Sequence, residues 1–197
     1  MLSKEGLICQ NFQQLLLEKN NISNSVKIIG GSLKRKSILF EGSDDLRPTL
    51  GRIKETLFNW LGNDLSDKNC LDLFAGSGSL GFESISRGAL SCTFIDHTHS
   101  NIENIQKNII DLDLSNCEVV ISEAYRYVNS VDCKYDLIFF DPPYHSDCYD
   151  WLEFAAGKLL SEDGIIYIES SKKINLDKIK MLKEKKTKSL YYGIYRL

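Results

Sequence analysis

The chain has 197 residues, 43% hydrophobic and 26% charged, which suits one domain with a sizeable buried core. No apolar run approaches the ~20 residues of a membrane span, and the N-terminus lacks the continuous apolar segment of a secretory signal, so a cytoplasmic location is expected. The net charge of −3 is uneven: residues 1–55 carry 9 Lys/Arg against 6 Asp/Glu, residues 56–171 carry 6 against 19, and residues 172–197 carry 9 against 2, a balance that excludes indiscriminate coating of nucleic acid.

Residues 4–19 place Leu7, Ile8, Phe12, Leu15 and Leu16 at helical spacing, and residues 1–25 read as a helical extension. VKIIGG and KSILF are short strand-like runs around GGSLKR, a hairpin. After Pro48, the stripe Ile53, Leu57, Trp60 and Leu61 predicts an amphipathic helix. Residues 26–62 thus form a hairpin and a helix, and residues 69–197 a core of another pattern. There the strand-like runs CLDLF, CTFID, EVVIS, YDLIFF and GIIYIES alternate with helical segments, including a short AYRYV and DWLEFAAGKLL. Strand–helix alternation implies βα units and a mainly parallel sheet with helices on both faces. The tail KSLYYGIYRL reads as an antiparallel edge hairpin with a partner near 180–187. The six cysteines form no CxxC pair and no His-rich cluster accompanies them, so reduced, mostly buried thiols and no metal are expected.

Two motifs carry chemistry. In LDLFAGSGSLGFE, Gly76, Gly78 and Gly81 satisfy GxGxxG between a strand and a helix, and Asp96 ends the next strand, 20 residues after Gly76. Such a loop lets a nucleotide-like ligand approach the backbone, and the later carboxylate can accept ribose hydroxyls. A dinucleotide and S-adenosylmethionine compete for this reading. Asp72, just inside the loop, favours the second, because a carboxylate attracts a sulfonium and an ammonium but repels a pyrophosphate.

The second motif is DPPY, Asp141 to Tyr144, after the run LIFF. Ligands of doubly wound sheets bind outside the carboxyl ends of the strands, so Asp141 should end beside the glycine loop. The exocyclic amine of a base is a poor nucleophile, because its lone pair is delocalised into the ring. The Asp141 carboxylate and the Pro142 carbonyl can each accept one N–H, which draws the amine towards sp³. Proline offers only an acceptor, held by its fixed φ, Pro143 stiffens the turn, and Tyr144 can stack on the base. The motif specifies an amino nitrogen on a planar group rather than a particular base.

With IIGG (28–31), LRPT (46–49), RIKETLFNWL (52–61), CLDLFAGSGSLGFESISRGA (70–89), FFDPPY (139–144), IYIES (166–170) and YRL (195–197), the chain resembles the bacterial RsmD-type methyltransferases, which methylate guanine N2 in small-subunit (16S) ribosomal RNA. The resemblance spans residues 26–197 and implies a class I S-adenosylmethionine-dependent methyltransferase fold, a seven-stranded, mostly parallel sheet with a reversed final strand. It implies that Asp72, Gly76 and Gly78 line the methionine end, that Asp96 holds the ribose, that Glu123 meets the adenine, and that Phe74, Ala75, Ser77 and Ala124 also bind the cofactor. Arg47 and Thr49 fall where the segment before the core closes over the cofactor. Lys34, Arg35, Lys36 and Arg52, with the lysine-rich tail, could hold RNA phosphates, and a merely solvated turn is the competing reading. The expected substrate is 16S rRNA within a small ribosomal subunit or its assembly intermediate, and the default state is a monomer. An adenine-N6 or other amino-methyltransferase is the alternative reading of DPPY.

Overall fold

The computed structural model describes residues 23–41, 48–143 and 148–197. The helix expected over residues 4–19 lies outside them. Strands β1 (Ser23–Lys27) and β2 (Ser37–Glu41) pair antiparallel as the expected hairpin, followed by α1 (Pro48–Leu61). The core then runs β3 (Asn69–Asp72), α2 (Ser79–Ser86), β4 (Ser91–Asp96), α3 (His99–Asp111), β5 (Cys117–Ile121), α4 (Ala124–Ser130) and β6 (Tyr135–Phe140). A 3₁₀ turn (Cys148–Trp151), α5 (Leu152–Leu159), β7 (Leu160–Ser170), β8 (Lys180–Lys186) and β9 (Tyr191–Arg196) complete it.

Seven strands form one sheet in the order β5-β4-β3-β6-β7-β9-β8. Strands β3 to β7 are parallel, and β9 runs antiparallel between β7 and β8, as the alternating tail predicted. Strand β8 is one edge of the sheet, and its exposed lysines disfavour pairing with another chain. Chain order reverses at β3, whose neighbours are β4 and β6, so a crevice opens at the carboxyl ends of β3 and β6.

Alternation along the strands builds two cores. Leu137 and Phe139 of β6 join α1, α2 and α3 through Leu57, Phe58, Phe82 and Ile105. Ile138 and Phe140 face the other way, onto Val128 of α4 and Leu152, Ala156 and Leu159 of α5. Near-continuous apolar strands such as YDLIFF are required because helices cover both faces. Among the described residues no helix is long and apolar enough to cross a membrane.

The hairpin is held to the core through polar groups. Asn108 of α3 accepts the Leu39 N–H at 2.9 Å and donates to the Leu39 carbonyl at 2.7 Å, completing both backbone bonds of an edge residue. Three details differ from the sequence reading. Strand β1 starts at Ser23 and ends at Lys27, so IIGG leaves the strand. The amides of Ile29 and Gly30 are drawn instead onto the Glu83 carboxylate of α2, at 2.9 and 2.8 Å. Helix α5 stops at Leu159, because β7 begins at Leu160 and reaches its main pairing through a register shift. The cysteines are less uniformly buried than expected: Cys70 and Cys92 are buried, Cys117 and Cys148 half-buried, and Cys133, in the turn before β6, exposed.

Candidate active site

The glycine loop leaves β3 at the crevice. Leu73 N–H still donates to the Phe139 carbonyl of β6 at 3.2 Å, and Ala75 N–H to the Ile95 carbonyl of β4 at 2.8 Å, so both neighbours fix the loop. Gly78 precedes α2 at φ +76°, where a side chain would also press on the Phe82 ring. At Gly81 an added Cβ would lie 2.2 Å from the Phe94 ring, so this glycine lets α2 approach β4. Gly81 N–H donates to Asp72 Oδ2 at 3.0 Å. The start of α2 is thereby occupied by the chain's own carboxylate, which leaves that end of the helix ill suited to a pyrophosphate.

Asp96 is anchored by three donors: Gly76 N–H at 2.8 Å, Thr98 N–H at 2.8 Å and the Asn101 amide at 3.1 Å. A carboxylate offers about four acceptor positions, so one remains for a ligand hydroxyl in this fixed geometry.

A cavity of about 570 Å³ opens over these elements. Its wall includes Asp72, Phe74, Ala75, Gly76 and Ser77 from the loop, Asp96 from β4, Glu123 and Ala124 after β5, and Asp141, Pro142 and Pro143 after β6. Eleven of the residues expected from sequence therefore meet on one surface. Gly78, the residue before α2, does not line the cavity. Arg47 and Tyr144 lie outside the described residues, and Thr49 lies within α1. Lys34 and Arg52 line a separate cavity of about 670 Å³ beside the hairpin, with Glu55, Asn59 and Arg87. Arg35 and Lys36 are exposed in the hairpin turn. Among the described residues there is no cluster suited to a metal ion.

Three residues of consequence were not picked out from the sequence. Glu169, at the end of β7, is buried and lines the cavity beside Asp141. Lys54 of α1 also lines it, with its ammonium 2.8 Å from the Lys27 carbonyl, 3.2 Å from Ser79 Oγ and 3.3 Å from Glu83 Oε2. Glu83 also pairs with Arg87 at 3.0 Å, so one buried carboxylate gathers two cations and two backbone amides. The Glu-x-x-x-Arg spacing of residues 83–87 was the available signal for this cluster. Glu169 had none stronger than its place at the end of IYIES.

The cavity's electrostatics are those of a cation site. Burial is the first cause that pushes Asp72 up to about 8, with Asp141 and Asp96 adding to it. Burial raises Asp141 to about 7, although part of its surface remains open. Burial and then the neighbouring Asp141 raise Glu169 to about 8. The nearby Lys54 is committed to Glu83, so it does not neutralise these three acids.

A family model described as conserved hypothetical protein 95 matches residues 26–196. Ribosomal RNA small subunit methyltransferase D of Buchnera aphidicola (subsp. Baizongia pistaciae) is 34% identical over 188 residues, covering 91% of this chain and 96% of its own. The protein of the same name from Escherichia coli is 36% identical over 161 residues, covering 78% and 80%. The chain belongs to the RsmD family. The solved structure of the E. coli yhhF protein matches with a TM-score of 0.77 at 32% identity, covering 87% of this chain and 97% of that one. That solved structure thus shares the architecture of this chain.

Proposed function

We infer that the protein transfers a methyl group from S-adenosylmethionine to the exocyclic N2 amine of a guanosine in small-subunit (16S) ribosomal RNA. The observation that carries this reading is the meeting of Asp141 and Pro142 with Asp72 and the glycine loop in one cavity, in a chain whose relatives bear the name small subunit methyltransferase.

The residues present fit the cofactor. A volume of about 570 Å³ suits a ligand of its size. The acids Asp72 and Asp141 suit a ligand with a sulfonium and an ammonium, and Ser79 offers a hydroxyl to its carboxylate. Asp96 would face the ribose, and Glu123 and Ala124 the adenine. When bound, S-adenosylmethionine supplies an electrophilic methyl group on its sulfonium.

The chain's own work is orientation. Asp141 accepts one N–H of the target amine and the Pro142 carbonyl accepts the other, which turns the nitrogen lone pair out of conjugation. Pro142 is buried and lacks an N–H, so that turn presents an acceptor and no competing donor. Fixed acceptors require no rearrangement as charge develops on the nitrogen. The amine's proton leaves after transfer, when the nitrogen is cationic and acidic. Lys34, Arg35, Lys36 and Arg52 hold RNA phosphates around the extruded base.

Labelled S-adenosylmethionine supplied to small ribosomal subunits and to naked 16S rRNA, both from a strain lacking the protein, tests the reading. Digestion to nucleosides should place the label in N2-methylguanosine. Label found only in N6-methyladenosine would overturn the base assignment.

A further inference from the structure

The carboxylate of Glu169 takes no part in the mechanism above, yet it is among the most buried charges of the cavity wall. Strands β6 and β7 pair in parallel as far as Phe140 and Ile168, and Asp141 and Glu169 are the next residues on each. The two acids therefore stand side by side, one strand spacing (about 4.8 Å) apart. Along the sheet, Asp96 of β4, Asp72 of β3, Asp141 after β6 and Glu169 of β7 form a row in that order. Glu169 is thus beyond Asp141 on the side away from Asp96, where the target base must enter if Asp96 faces the ribose. The phenol of Tyr167 donates to Glu169 Oε1 at 2.5 Å, and the Tyr149 phenol donates to the Glu169 carbonyl at 2.9 Å. The carboxylate is consequently fixed by one oxygen, and among the described residues no ion pair is made to it.

Resting on the function proposed above, we propose that Glu169 reads the guanine edge by accepting the N1–H while Asp141 accepts from the neighbouring 2-amine. Guanine presents these two donors side by side. Adenine presents a bare N1, whose lone pair would face a carboxylate lone pair in a buried site. Specificity then comes from an unpaired acceptor set against the wrong base as well as from a bond to the right one. Accepting the N1–H requires the ionised form, and burial with the neighbouring Asp141 raises Glu169 to about 8, so the preference for guanine is read above that pH.

The test uses 2-aminopurine, which keeps the 2-amine of guanine and has a bare N1. The nucleotide methylated by the wild-type protein is mapped first, and small subunits are then reconstituted with guanine or 2-aminopurine at that position. The wild type should favour guanine in kcat/KM by at least about 100-fold. In Glu169→Gln the new amide can donate to a bare N1, and the preference should shrink about tenfold or more. Tyr167→Phe, which releases Oε1, should shrink it severalfold. Calorimetry should find S-adenosylmethionine bound within about threefold of wild type by both variants. An unchanged preference in Glu169→Gln overturns the proposal, as does a tenfold or greater loss of cofactor affinity, which would put Glu169 on the cofactor's side. Failure of the wild type to methylate any guanosine refutes the parent function, and this role with it.

Discussion

Binding of S-adenosylmethionine should be coupled to proton release. In the free protein Asp72 is raised to about 8 and Asp141 to about 7, chiefly by burial. At pH 7 a group with a value near 8 is about 90% protonated and one near 7 about half, so the pair holds roughly 1.4 protons. A ligand with two cationic centres and one carboxylate brings a net charge of about +1, and matching it should expel about one proton. Linkage then makes the affinity rise about tenfold per pH unit between pH 6 and 7. The sign is fixed by the raised values: protonation dominates at low pH, so binding weakens as pH falls. Calorimetry in two buffers of different ionisation enthalpy at pH 6.8 reads the proton count directly. S-adenosylhomocysteine, which lacks the sulfonium charge, should release fewer protons, and Asp72→Asn should flatten the dependence. A dissociation constant that stays within about twofold from pH 5.8 to 7.2, with no buffer dependence, would refute the cation-site reading.

The same raised carboxyls predict that the free protein loses stability as pH rises from about 4 to 8, because the folded state keeps protons that the unfolded chain releases; melting temperatures across that range check it. Glu83→Ala strands Lys54 and Arg87 as buried cations and should cost about 3–5 kcal/mol by urea unfolding, with Lys54→Met recovering part of the loss in the double variant. A cost below about 1 kcal/mol would mean that water or a neighbour replaces the carboxylate. Gly81→Ala pushes a methyl into the Phe94 ring and should cost about 1–3 kcal/mol as α2 lifts from β4. Asp141→Ala should lower kcat at saturating cofactor by at least about 100-fold, since an acceptor for the target amine is lost, and should also weaken cofactor binding by calorimetry, since one acid of the cation site goes with it.

The sheet was legible in the sequence because helices cover both its faces, so each strand reads as a compact apolar run such as YDLIFF or CLDLF. The loop residues were legible because GxGxxG and DPPY are local, and local chemistry needs no knowledge of register. Glu169 was hidden for the opposite reason. Its position beside Asp141 follows from the pairing of β6 with β7, and nothing in IYIES fixes that register before the sheet is assembled. Lys54 was hidden because the apolar stripe through Ile53, Leu57 and Trp60 draws attention to one face, whereas Glu83 from another element decides that a neighbouring lysine is buried. The IIGG segment misled as a strand because pairing across the hairpin stops at Ile28, and the amides of Ile29 and Gly30 turn to the Glu83 carboxylate instead.

The most direct test compares 16S rRNA from three strains: one lacking the protein, one restored with wild type, and one restored with Asp141→Ala. Mass spectrometry of the nucleosides should show N2-methylguanosine raised by about one per rRNA molecule in the wild-type strain alone. Equal N2-methylguanosine in all three strains would contradict the assignment.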